Sequence, residues 1–151
     1  MSSVVSLLRA SGSAAAAPSA PPVVAAARPA LPLSISADSF ADEVDAGAYA
    51  VDIRTQLVRD SDGIVVGALA IDSADVLDRL TPDSGRALAA ARRDTPWILV
   101  SDDGHDAEWL AWHLQARGLT GVRFVVGGQR ALRRSAMPGH VRRVLDTVAQ
   151  H

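Results

Sequence analysis

The stretch "WILVSDDGHDAEWLAWHLQARGLTGVRFVVGGQRAL", residues 97–132, decides the fold. Four apolar residues, Trp97 to Val100, end in a short polar loop with one glycine. A helical pattern follows over 105–117 and stops at Gly118. A second apolar run, residues 122–126, leads into Gly127-Gly128. Strand, loop, helix and strand in that order form a crossover unit, which places the two strands parallel. The polar loop lies where a strand's carboxyl end meets a helix N-terminus, the usual ligand position in such sheets.

Working outward, the alternation continues. "SADSFADEVDAG" opens with Ser36 as a candidate N-cap and ends at Gly47, with Phe40, Val44 and Ala41 as its apolar stripe. Residues 48–53, "AYAVDI", read as a buried strand, and "TQLVRD" as a short helix or turn. Residues 67–71 read as a second short strand. Residues 73–80 are helical with Ser73 as cap, and residues 82–93 add another helical turn. After the fourth strand, "QRALRRSA" and "GHVRRVLDTVAQ" read as closing helices. Short apolar strands between helices predict an α/β domain, a parallel sheet of four to five strands with helices on both faces.

The chain has 151 residues, enough for one domain with its own core. It divides near residue 33. Residues 1–33 form an Ala/Pro/Ser-rich lead, read as disordered. The folded domain spans 34–138, and 139–151 form a C-terminal helix packed on it. The lead carries only Arg9 and Arg28 as charged side chains, a composition shared with organelle transit peptides. Its prolines interrupt any amphipathic helix, and Ala/Pro tracts also serve as linkers. No positive segment precedes "VVSLL", which argues against a secretory signal. The expected location is cytoplasmic.

All fifteen basic residues are arginine, the net charge is −2, and no block of like charge occurs. Neither nucleic acid nor an anionic membrane is indicated. No apolar run approaches the roughly 18–20 residues of a membrane-spanning helix. The chain contains no cysteine, which excludes disulfides, thiolate metal sites and a cysteine nucleophile.

Taken together, these segments resemble the rhodanese-homology domain, the fold of sulfurtransferases and Cdc25 phosphatases. "VDIR" (51–54) is similar to that family's Asp-x-Arg strand end. "GIVVGA" (63–68) is similar to its "GHIPGA", with Gly63, Gly67 and Ala68 kept and Val66 in place of the proline. "WILVSDDGHD" resembles its strand and "CxxGxR" loop, Gly127-Gly128 its "GG", and "SAMP" (135–138) its closing turn. The family's tryptophan after "GG" corresponds to Leu132.

The resemblance implies a loop that has lost its chemistry. Family members attack with the cysteine that opens the loop and carry sulfur as a persulfide. Here that position is Ser101, and a serine oxygen cannot carry one. The arginine that closes the loop in many members corresponds to Asp106, which reverses the charge presented to an anion. Asp102, Asp103 and Asp106 put three carboxylates in six residues. At ~4–8 Å and an effective dielectric near 20, each opposes a bound anion by roughly 2–4 kcal/mol. The acidic side chains are expected to cap the helix themselves.

The degenerate loop comprises Ser101, Asp102, Asp103, Gly104, His105 and Asp106; Asp52 and Arg54 are expected to pair with each other and close a strand end, the alternative being that they shape a pocket that no longer reacts. The expected function is a binding or regulatory module, not an enzyme, with no cofactor and no metal. Two alternatives stay open: catalysis by Ser101 with His105 as base, or a divalent cation held in the acidic loop. On the 105–117 helix, Ala107, Leu110, Ala111 and Leu114 form one stripe, with Trp109 and Trp112 opposite. The tryptophans face either the chain's own lead or C-terminal helix, or a partner protein. The expected state is a monomer or weak dimer.

Overall fold

A computed structural model describes residues 32–137. Five strands form one sheet: β1 (Ser34–Ile35), β2 (Tyr49–Asp52), β3 (Leu69–Ala70), β4 (Trp97–Val100) and β5 (Arg123–Val125). Their order across the sheet is β1-β5-β4-β2-β3, and every neighbouring pair is parallel. Five helices accompany them: α1 (Phe40–Asp45), α2 (Gln56–Asp62), α3 (Ser73–Leu80), α4 (His105–Ala116) and α5 (Gly128–Ala136).

The period of two along each strand sorts the core into two clusters, one on each face of the sheet. Val51, Trp97, Leu99 and Phe124 point to one face and meet Val76 and Leu80 of α3 and Ala107, Leu110, Ala111 and Leu114 of α4. Ile35, Ile98, Val100 and Val125 point to the other, where Phe40 of α1 and Leu132 of α5 pack against them. Helices therefore cover both faces, and β4, in the middle of the sheet, is buried at all four positions.

Several local expectations are corrected. Strand β1 was not anticipated, because two residues carry no readable alternation. It exists because β5 needs a neighbour: Phe124 donates its N–H to the Leu33 carbonyl and Val126 to that of Ile35, both at 3.0 Å. Residues 82–93 are turns and not a helix. Asp83 takes a positive φ of 69° just after Pro82, which no α-helix accommodates. Further along, the Thr95 hydroxyl accepts the Arg92 N–H and donates to the Ala90 carbonyl, closing the segment on itself. Ser73 is the first residue of α3 and not its cap. Asp72 stands at the cap position, with its carboxylate turned to Arg59 at 3.0 Å. The short strand expected over 67–71 narrows to Leu69–Ala70. Ser36 caps the short 3-10 turn Ala37–Ser39, its hydroxyl accepting the Ser39 N–H at 3.3 Å, and not α1 itself, which starts at Phe40 with no side-chain cap at Ser39. The lead, apart from Pro32 and Leu33, and the closing helix at 139–151 lie outside the described residues. No helix among the described residues is long and apolar enough to cross a membrane.

Candidate functional site

The loop of residues 101–104 follows β4 and runs straight into α4. Ser101 is 3 % exposed. Its hydroxyl oxygen accepts the backbone N–H of Gly104 at 3.0 Å and of Ala107 at 3.3 Å. Those donors point at the loop's opening position. In this chain the serine oxygen lies over them and closes the first turn of α4.

The carboxylates are each engaged differently. Asp103 accepts the His105 N–H at 3.0 Å, and its second oxygen lies 3.1 Å from His105 Nδ1. These contacts, the backbone one foremost, hold the Asp103 carboxyl below its ordinary value. Asp102 pairs with Arg130 of α5 at 2.6 Å. Asp106 is exposed in the first turn of α4, where the helix dipole favours it. The helix is thus capped by Ser101 and Asp103, and only part of the expected self-capping by acids is present. Arg130 also offsets one of the three negative charges, so the repulsion of anions is weaker than the loop sequence alone implies.

Arg130 was missed because it lies outside the loop in sequence. It arrives through Gly127-Gly128, whose φ angles are 75° and 56°. A Cβ on Gly128 would stand 2.3 Å from the Ser101 carbonyl oxygen. Without one, the first turn of α5 leans on the loop. Gln129 N–H donates to the Ser101 carbonyl at 2.8 Å and Arg130 N–H to that of Asp102 at 3.2 Å. The loop is held from both ends by the starts of two helices. Beside it a cleft of about 500 Å³ opens between α5 and the Ala37–Ser39 turn, with Asp38, Asp103, Arg130 and Arg134 on its walls. Both signs of charge line this cleft.

Asp52 and Arg54 pair as expected. Both are buried, with Arg54 Nε 2.9 Å from Oδ1 and Nη2 2.7 Å from Oδ2. The Asp52 carboxylate keeps the guanidinium protonated beyond its ordinary range. Nη2 also donates to the Gly63 carbonyl at 2.8 Å, which ties the "GIVVGA" segment to the end of β2. A second buried arginine, Arg59, went unnoticed in the sequence. Its guanidinium donates to the Arg54 carbonyl and bridges to Asp72. Its place in α2, one turn past the Thr55 cap, is the signal that would have found it.

No hydrogen bond joins Ser101 to His105; the imidazole is 82 % exposed and turned to Asp103. Among the described residues no group of three or more acidic and histidine side chains could hold a metal ion. Trp109 and Trp112 are 58 % and 62 % exposed on the outer side of α4, and the Trp109 ring lies 3.9 Å from that of His113. Nothing else described covers them. The segments that would do so under the self-packing expectation lie outside the described residues.

No protein-family model and no curated protein matches the sequence. Solved structures match it in shape. A Rhodopseudomonas palustris protein of unknown function, described as a possible tyrosine phosphatase, superposes with a TM-score of 0.62 at 20 % identity over 70 % of this chain and 82 % of its own. A human single-domain sulfurtransferase gives 0.59 at 17 % identity over 71 % and 99 %. A rhodanese-related protein from Thermoplasma volcanium gives 0.53 at 16 % over 70 % and 94 %. Strand order, the loop between β4 and α4 and these superpositions agree that the chain is rhodanese-like in fold, and its sequence holds no cysteine.

Proposed function

We propose that this chain is a rhodanese-fold module without sulfurtransferase activity, acting by binding through the Trp109 and Trp112 face of α4. One observation carries the loss of chemistry: the Ser101 hydroxyl is buried and accepts the two N–H groups that would otherwise face a substrate anion. An oxygen in that position cannot be released to attack without uncapping α4, and it cannot store sulfur. The exposed indoles supply the kind of rigid aromatic area on which protein contacts concentrate. The module is expected to work outside any membrane.

The test is sulfur transfer from thiosulfate to cyanide. The native chain is expected to form no thiocyanate above a heat-killed control, and a clear excess overturns the proposal. Ser101→Cys places a thiol on the same two N–H donors, which favour its thiolate. Asp106 opposes that charge, so the single variant is expected to react slowly. Asp106→Arg added to it is expected to give measurable transfer. A double variant that folds but stays at background shows that the cradle, as well as the nucleophile, has gone.

A further inference from the structure

We propose that the groove between α1 and α5 is a second binding site, and that it takes the free carboxyl end of a peptide whose last side chain is apolar. The groove holds about 420 Å³, within the range of small-ligand sites. It lies on the face of the sheet that carries Ile98 and Val100, opposite α4, so it is separate from the Trp109 and Trp112 surface. Three kinds of group line it, and each fits one part of such an end.

The floor is apolar. Phe40, Leu132 and the buried Val65 belong to the core cluster of that face and also line the groove. Ile64 and Val66 stand at its edge, 68 % and 84 % exposed, apolar area left open to water. An apolar terminal side chain would cover this surface.

The second group is an amide. Gln129, Leu132, Arg133 and Ala136 recur at the spacing of one helix face, and all four line the groove. Gln129 is only 7 % exposed, yet its side-chain amide makes no hydrogen bond among the described residues. Its backbone N–H alone is engaged, with the Ser101 carbonyl. A buried amide that has given up its water without a partner is costly. A peptide group satisfies its donor and its acceptor together.

The third group is a cation. Arg133 follows Gln129 by one turn, about 6 Å along the helix axis. It is exposed and makes no ion pair or hydrogen bond among the described residues. A Cβ on Gly63 would lie 3.8 Å from its Nη2, which puts the guanidinium over the start of the 64–66 edge. A guanidinium so placed suits a carboxylate, which it can grip with two parallel hydrogen bonds. The acid on the opposite wall, Asp38, accepts the Ser135 hydroxyl. In a peptide end the carboxylate follows the last peptide group by one residue, about 3.8 Å, and the length of the arginine side chain spans the difference. A simple fatty acid would meet the floor and Arg133 but leave the Gln129 amide unmatched.

The probe is N-acetyl-alanyl-leucine with a free carboxylate, titrated into the isotope-labelled full chain and followed by nuclear magnetic resonance. Shifts are expected at the Gln129 side-chain amide, the Arg133 Nε–H and the backbone amides of residues 64–66, while the Trp109 and Trp112 indole signals stay in place. Arg133→Gln, and separately a probe with its carboxyl group amidated, are each expected to weaken binding about tenfold or more. Gln129→Leu keeps the bulk and drops the amide. It is expected to weaken the dipeptide and to leave octanoate, a carboxylate with an apolar tail and no amide, unchanged. No shift at millimolar probe, or shifts that ignore both substitutions, overturns the site. So does equal binding of acid and amide, since the guanidinium then contributes nothing. Octanoate binding more tightly than the dipeptide also overturns it, because the ligand is then a fatty acid. None of these readings uses the thiocyanate assay or the indole surface, so this site stands or falls apart from the function proposed above.

Discussion

Replacing Ser101 by alanine leaves the Gly104 and Ala107 N–H groups without an acceptor in a buried turn. The expected cost is about 1–2 kcal/mol, read as a lower urea midpoint with an unchanged slope. A purely catalytic serine, exposed and unbonded, would show no such loss. Asp52→Asn is the harsher change, because it strands the buried Arg54 guanidinium without its counter-charge. A loss of about 3–5 kcal/mol is expected, and the same unfolding curves report it. Glu43 provides the acid-sensitive contact. Its carboxylate receives two hydrogen bonds from Arg123, which lower its pKa from the ordinary 4.5. A carboxyl depressed in the folded state stabilises fully above its unfolded value, and the contribution disappears as pH falls through the folded one. Melting temperature followed from pH 7 into the acid range should therefore fall more steeply in the native chain than in Glu43→Gln. Parallel curves would show that the Arg123 contact is not formed in solution.

Among the elements, the start of α5 does most to define the site. Gly128 and Gly118 both have positive φ, yet they face different neighbours. A Cβ on Gly128 meets the Ser101 and Asp102 backbone, while one on Gly118 meets only the far end of the Arg93 side chain. Gly128→Ala is expected to cost at least about 2 kcal/mol and to move the loop, and Gly118→Ala about 1 kcal/mol with the loop unchanged. Stability and the His105 proton resonances together distinguish the two. The same contrast shows what the sequence could tell. The strands β2 and β4 and the helices α3 and α4 were legible because each carries a full apolar stripe or run. Strand β1 was not, being two residues held in place by a distant strand. The loop's composition was readable, including the absent cysteine and the charge at Asp106. Its electrostatics were not, because Arg130 reaches Asp102 from another element. Nor could a list of acids reveal that a serine, and not a carboxylate, makes most of the cap.

At the scale of the whole molecule, the two core clusters are separated by the sheet, and each depends on β4. Leu114→Ala opens the α4 side and is expected to cost about 2–5 kcal/mol in chemical denaturation. The order of the strands has a further consequence, and it concerns time. Among the described residues β1, the first strand in sequence, finds its only neighbour in β5, the last: Ser34 pairs with Phe124. During synthesis or refolding β1 must wait while β2, β3 and β4 assemble, because closing so long a loop is unfavourable until its far end has a surface to join. Strand β1 is thus the final strand to settle. In pulse-labelled hydrogen exchange, the amides of Phe124 and Val126, which bond to Leu33 and Ile35, should gain protection after that of Ile53, which bonds to Val100. Simultaneous protection of all three would mean that the sheet closes in one event and that the early strand never waits for the late one.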